Sequence, residues 1–192
     1  MSMKLTKFAL IGALALVGPA LLALAGPAKA GHYVLAAQQV TKETRDGIKN
    51  FSRLETTVAC AGAITSDAMP EIKKMGFASV INLREAQEPG ADVDKHRAAA
   101  EAAGLRYYHV PFNGAKPDPK AADQFVKIIS SKEAAPAFIH CASANRASAM
   151  WLIKRIIVDK WEVERAEEEA AALGLTNAAL KQWAIEYARP DR

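Results

Sequence analysis

The chain predicts an α/β fold: a mostly parallel central sheet flanked by helices, with an active loop between a central strand and a buried helix. Three observations point there. Short apolar runs rich in β-branched residues alternate with helix-like segments from residue 54 onward. Glycines and capping residues punctuate the helical segments, with Gly76 and Gly104 as stops and Ser66 or Asp67 as a start. "AFIH", Ala137 to His140, reads as a short strand buried on both faces. Strand, helix, strand in succession implies right-handed crossovers. Ligands of such sheets sit beyond the carboxyl ends of the strands.

In chain order, Leu54 to Ala59 is a short candidate strand, and a helix runs from Ser66 or Asp67 through Met75. "FASVINL", Phe77 to Leu83, is the next strand, followed by a helix from about Asp92 to Ala103. "LRYYHVPF", Leu105 to Phe112, reads as another strand, with His109 in it and His96 on the preceding helix's surface. Pro117 and Pro119 break the chain before a helix over about Ala121 to Ser130. After Ala137 to His140, three helices are expected: Ala147 to Asp159, Val163 to Ala172 and Asn177 to Ala188. Trp151, Ile153, Ile156 and Ile157 make the first of these buried nearly all round, and Trp161 and Trp183 read as packing residues. Glu167 to Glu169 reads as a solvated helix face.

Residues 1–30 read as a signal peptide. Lys4 and Lys7 precede an uncharged apolar run, Phe8 to Gly26, and Ala28-Lys29-Ala30 offers a cleavage pattern. Export to the periplasm or beyond the cell is the expectation; the alternative is an uncleaved anchor through residues 8–26. Gly18-Pro19 in the run favours cleavage, and the absence of cysteine near residue 30 argues against a lipoprotein. Residues 31–46 read as a linker or loose arm, and 47–192 as the domain. Beyond residue 30, 22 basic and 21 acidic residues remain, a net charge of +1, so charge gives no support to nucleic-acid binding. Cys60 and Cys141, 81 positions apart, match neither a zinc spacing nor a disulfide framework.

The chemistry concentrates in "FIHCASANRASAMW", Phe138 to Trp151. A loop joining a strand to a helix N-terminus points successive backbone N–H groups inward and adds the positive end of the helix dipole. Ala142, Ser143, Ala144 and Asn145 thus form a cradle suited to a tetrahedral oxyanion, and Arg146 can hold two of its oxygens. Cys141 stands in the same positive field, where thiol pKa values of about 3.5–7.5 occur.

"VINLRE", "AAGLRYYHVPF" and "FIHCASANR" followed by an apolar helix resemble the cysteine-dependent tyrosine and dual-specificity phosphatases. The chain is most similar to the bacterial beta-lactamase-hydrolase-like (DUF442) branch, which has four residues between Cys and Arg. The resemblance implies that Cys141 is a nucleophile forming a phosphocysteine, Arg146 the phosphate clamp and His140 a residue tuning the thiolate. It further implies that Ser143 and Asn145 give loop hydrogen bonds, and that no metal or organic cofactor is needed. The expected partner is a phosphorylated protein or a small phosphate ester, with contact to a membrane only through an uncleaved leader. Ala144 stands where the branch has glycine, and Ala147 where Ser or Thr often follows the arginine, Ser148 being the nearest hydroxyl. Asn113-Gly114 replaces an expected aspartate, leaving Asp118 as the candidate general acid, ahead of Asp123. Cys60 reads either as a small buried side chain or as a redox partner for Cys141. Two other functions stay open. One is a rhodanese-like sulfurtransferase, although "INLRE" and the lack of a "GHIPGA" segment differ from that pattern. The other is a catalytically weak phosphate-binding module.

Overall fold

The computed structural model describes residues 39–55 and 57–189, so the leader lies outside the described residues. Six strands, β1 (Val40–Arg45), β2 (Ile48–Leu54), β3 (Val58–Ala61), β4 (Ser79–Asn82), β5 (Arg106–His109) and β6 (Ala137–His140), form one mixed sheet in the order β1-β2-β3-β6-β4-β5. The four strands β3, β6, β4 and β5 are parallel, as the alternation predicts. β1 and β2 add an antiparallel hairpin at the β3 edge. All four residues of β6 are buried, which suits its central place.

The hairpin corrects the reading of residues 31–46 as an arm, because residues 40–45 are β1. Asp46-Gly47 makes the two-residue turn, with Gly47 at φ 72°, a backbone glycine adopts without a Cβ clash. The expected strand Leu54 to Ala59 is in fact the end of β2, a turn at Glu55 (φ 47°) and the start of β3.

Side chains alternate across the sheet, so Phe138 joins one core and Ile139 the other. Phe138 packs with Phe51 and Phe77 under α1 (Met69–Lys74) and α2 (Val93–Ala102). Ile81, Ile139 and Val58 face α3 (Pro119–Ile129), α4 (Asn145–Ile157), α5 (Val163–Leu173) and α6 (Ala178–Ala188). Helix α4 is buried from Ala147 through Ile153. Trp183 stacks between Phe112 and Tyr187, at 5.4 and 5.3 Å between ring centres.

Two surface assignments are corrected. His96 is buried, its ring 6.0 Å from that of His140. Glu169 is not solvated: its side chain is only 8% exposed and pairs with Arg155, also 8% exposed. Trp151 donates its indole N–H to the same carboxylate at 2.6 Å. The Arg155 guanidinium lies over the rings of Trp151 and Trp161, at 4.6 and 4.0 Å from their centres. No helix among the described residues is long and apolar enough to cross a membrane.

Candidate active site

β6 delivers His140 and Cys141 to the carboxyl end of the sheet, and the loop that follows is held from outside. Cys141 N–H donates to Ala61 O at 3.1 Å, and Ala63 N–H donates to Ala142 O at 3.0 Å. Only a glycine at position 62 allows this approach, since a Cβ there would meet Ala142 O at 2.9 Å. Asn50, at φ 47°, points its amide at Ser143 O, 3.4 Å away. The carbonyls of Ala142 and Ser143 are thus engaged outside the loop. Among the described residues, no protein acceptor takes the N–H groups of Ala142, Ser143, Asn145, Arg146 and Ala147, while the bridge between Gly62 and Ser143 turns the Ala144 N–H toward Ala61 O. Five donors at and before the start of a thirteen-residue helix are the kind of arrangement that suits an anion.

Ala144 caps α4 at φ 75°, ψ −21°, the left-handed region. The position therefore requires the conformation glycine adopts most easily, and a Cβ there costs about 1–2 kcal/mol. Ala144→Gly is expected to raise the free energy of unfolding by up to about 1 kcal/mol, after glycine's larger unfolded-state entropy is set against the relieved strain. Equilibrium unfolding in urea measures it; a decrease would mean that lost packing outweighs the strain.

Arg146 starts α4 and reaches back across the strand ends. Its Nη1 donates to Leu83 O, Phe112 O and Glu88 Oε1 at 3.2, 2.8 and 2.6 Å, and Nη2 donates to Glu88 Oε2 at 2.8 Å. Burial works against both charges. For Glu88, hydrogen bonds from Arg146 and from the Glu85 N–H, with the charge of Arg146, outweigh it and leave the carboxyl at about 2. Arg146 is raised despite its burial, by Glu88 and by Cys141, whose sulfur its guanidinium also faces. Arg84 braces Glu88 from the other side, Nε to Oε2 at 3.2 Å. Arg146 thus stands beside Cys141 at the carboxyl ends of the strands.

Cys141 itself is fully buried at the base of this loop. Cys60 lies on the adjacent strand in the same core, and both cysteines are free thiols with no disulfide between them. Burial pushes the Cys60 thiol far up, the Ser148 hydroxyl beside it opposing and the Cys141 charge adding. Ser148 is thus buried against Cys60 and is not placed in the open mouth of the loop. Asn145 turns its side chain outward, its Oδ1 accepting from the N–H groups of Thr176 and Asn177 at 2.7 and 2.8 Å. Its Oδ1 ties the start of α4 to the turn after α5, while its Nδ2 donates within the loop to Ser143 Oγ at 3.5 Å. Asp118 caps α3, accepting from Lys120 N–H at 2.9 Å, and is exposed. Asp123 accepts from the Tyr187 hydroxyl.

Neither ring nitrogen of His140 has a hydrogen-bond partner of good geometry among the described residues, although a weaker contact with the Cys141 backbone favours its charged form. Burial first, then His96 and Arg84, pulls its pKa down to about 3, and burial lowers that of His96. Unfolded histidines titrate near about 6.5. Between about 6.5 and 3 the unfolded chain therefore binds a proton that native His140 does not. Stability should fall as pH falls through this window, by up to about 1.4 kcal/mol per pH unit for each such histidine. Urea unfolding at pH 7, 6 and 5 should show this slope, and His140→Asn should reduce it. An equal slope in the variant would mean that native His140 binds its proton as the unfolded chain does.

Residues 50–158 match the family model of the beta-lactamase hydrolase-like protein, phosphatase-like domain. The chain belongs to this family. A beta-lactamase hydrolase-like protein of Xylella fastidiosa is 29% identical over 140 residues, covering 69% of this chain and 32% of that protein. The chain thus spans about a third of the length of the curated relatives it matches. Among solved structures, a DUF442 protein from Shewanella putrefaciens CN-32 superposes with a TM-score of 0.62 at 17% identity, covering 74% of this chain and 88% of that one. TpbA of P. aeruginosa in complex with pTyr gives 0.58 at 17%, covering 82% and 91%. The phosphatase-like domain of this chain keeps the fold of these structures while placing Ala144, Ala147 and Asn113 at the three departures noted above. Glu88 was missed from sequence: its partner Arg146 is 58 positions away, and "EAQEPG" carries no pattern marking one of its carboxylates.

Proposed function

We propose that the chain is a cysteine-dependent phosphatase acting on phosphate monoesters, proteins bearing phosphotyrosine included, through a phosphocysteine intermediate. One observation carries this reading: the loop between Cys141 and α4 leaves five backbone N–H groups without a protein acceptor, and the Arg146 guanidinium faces the Cys141 sulfur. The thiolate of Cys141 attacks phosphorus in line as the bond to the leaving oxygen breaks, while Arg146 and the loop amides hold the equatorial oxygens. Water then attacks phosphorus, releasing phosphate and restoring the thiolate. His140, held neutral, places the sulfur without competing for its proton. A groove of about 750 Å³ begins at Ser143 and runs past Lys42, Lys49 and Thr176, giving room for the rest of a substrate. The complex of TpbA with pTyr supports a phosphorylated substrate. The basic, apolar and Ala-x-Ala pattern of residues 1–30 supports export.

Phosphate release from p-nitrophenyl phosphate, with and without dithiothreitol, tests the reading, beside sulfur transfer from thiosulfate to cyanide. Phosphate release alone supports it. Sulfur transfer in its place moves the protein to the sulfurtransferases. Silence in both, in reductant, leaves a phosphate-binding module, the reading that Ala144 and Asn113 favour.

A further inference from the structure

Expelling a poor leaving group from phosphorus requires a proton on the departing oxygen. Two carboxylates, Glu85 and Glu88, stand on the turn that meets Arg146. Glu88 has both oxygens bonded to Arg146, and Arg84 braces it further. Glu85 belongs to the same turn, where Glu88 N–H donates to Glu85 O at 3.0 Å. Its own carboxylate is half-buried and points to the other loop at the mouth: Asn113 Nδ2 donates to Glu85 Oε2 at 3.0 Å.

Asn113 is fixed for this contact. Its Oδ1 accepts from the N–H groups of Ala115 and Lys116 at 2.9 and 3.1 Å, so its amide nitrogen faces Glu85. The residue before it, Phe112, gives its carbonyl to Arg146. The residue after it, Gly114, lies over the Arg146 methylenes, where a Cβ would stand 3.3 Å from Cγ. The Glu85 carboxylate is therefore held by Asn113, the residue that stands where the phosphatase pattern has its aspartate. Glu85 Oε1 has no protein partner among the described residues. Asp118, by contrast, is engaged in capping α3.

We infer that Glu85 is the general acid of this site, with Asn113 as its positioning residue. The inference rests on the phosphatase reading. As Cys141 sulfur bonds to phosphorus and the phosphorus–oxygen bond breaks, the Glu85 proton passes to the leaving oxygen. The resulting carboxylate then takes a proton from the water that attacks the phosphocysteine. Phosphorus–sulfur cleavage restores the thiolate, and Glu85 is again protonated.

The test measures kcat/KM for 2,4-dinitrophenyl phosphate, whose leaving group needs no proton, and for phenyl phosphate, whose leaving group does. Wild type, Glu85→Gln, Asn113→Ala and Asp118→Asn are compared. Glu85→Gln should lose about 10²–10⁴-fold on phenyl phosphate and far less on the dinitrophenyl ester. Asn113→Ala should show the same split, smaller. Equal losses on both esters in Glu85→Gln, or the split appearing in Asp118→Asn instead, would overturn the assignment. Should wild type fail to release phosphate even from the dinitrophenyl ester, the phosphatase reading itself falls, and this assignment with it.

Discussion

Cys141→Ser is expected to abolish measurable phosphate release while leaving phosphate binding in place. A serine hydroxyl at the base of the loop is un-ionised at neutral pH, so the cradle still holds an anion but no nucleophile attacks it. Arg146→Ala should differ in kind: it removes the clamp, and both binding and turnover should fall, turnover by roughly 10²–10³-fold or more. Glu88→Ala lies between them. It leaves the guanidinium its carbonyl partners Leu83 and Phe112 but removes the carboxylate that fixes its plane through two bonds of 2.6 and 2.8 Å. Initial rates with p-nitrophenyl phosphate and calorimetric titration with inorganic phosphate separate the three. Residual turnover in Cys141→Ser would place the nucleophile elsewhere. An Arg146→Ala variant that binds phosphate as wild type does would remove the clamp from the mechanism.

How much of this was legible before the structure depends on where each partner lies in the chain. The central strands β3, β4 and β6 are buried at every position and mostly apolar, which marks them in the sequence, and β5 at the edge shows itself by its aromatic pair Tyr107 and Tyr108. β1 does not, because "VTKETR" is an edge strand with one apolar residue, although Asp46-Gly47 is a hairpin signal that was there to be used. The loop was legible because Cys141, the four small or polar residues after it and Arg146 are consecutive. The positive φ of Ala144 followed from the same alignment of positions. What surrounds the loop was not legible: Glu88, the Asn113–Glu85 contact and the burial of His96 all arise from pairs far apart in sequence. Asn145 shows the limit most plainly. It stands in the loop, yet its side chain serves residues 176 and 177.

Glu169→Ala is expected to destabilise the fold by about 3 kcal/mol or more, the largest stability effect foreseen outside the apolar core. The carboxylate accepts from Trp151 Nε1 at 2.6 Å and from Arg155 Nε and Nη2 at 2.7 and 3.1 Å. Its removal strips a buried indole of its acceptor and a buried guanidinium of two hydrogen bonds, with water barred by Trp151 and Trp161. Because the pair is buried, salt should screen it little, so the loss should persist at high ionic strength. Replacing both members, Glu169→Leu with Arg155→Met, should recover part of it: Arg155 keeps Asp159 as an ion partner at 2.8 Å in the single variant, so the cost there lies in the buried guanidinium and indole N–H groups left without acceptors. Urea unfolding of the two variants gives the comparison, and a single-variant loss below about 1 kcal/mol would mean that water reaches the pair. The effect should extend to the site. Residue 169 fixes α5 to α4, α5 leads into the turn at Gly174 to Asn177, and that turn grips Asn145 at the head of the phosphate loop. Inactivation on warming should therefore track the unfolding of Glu169→Ala, with the chemistry of Cys141 untouched below that temperature.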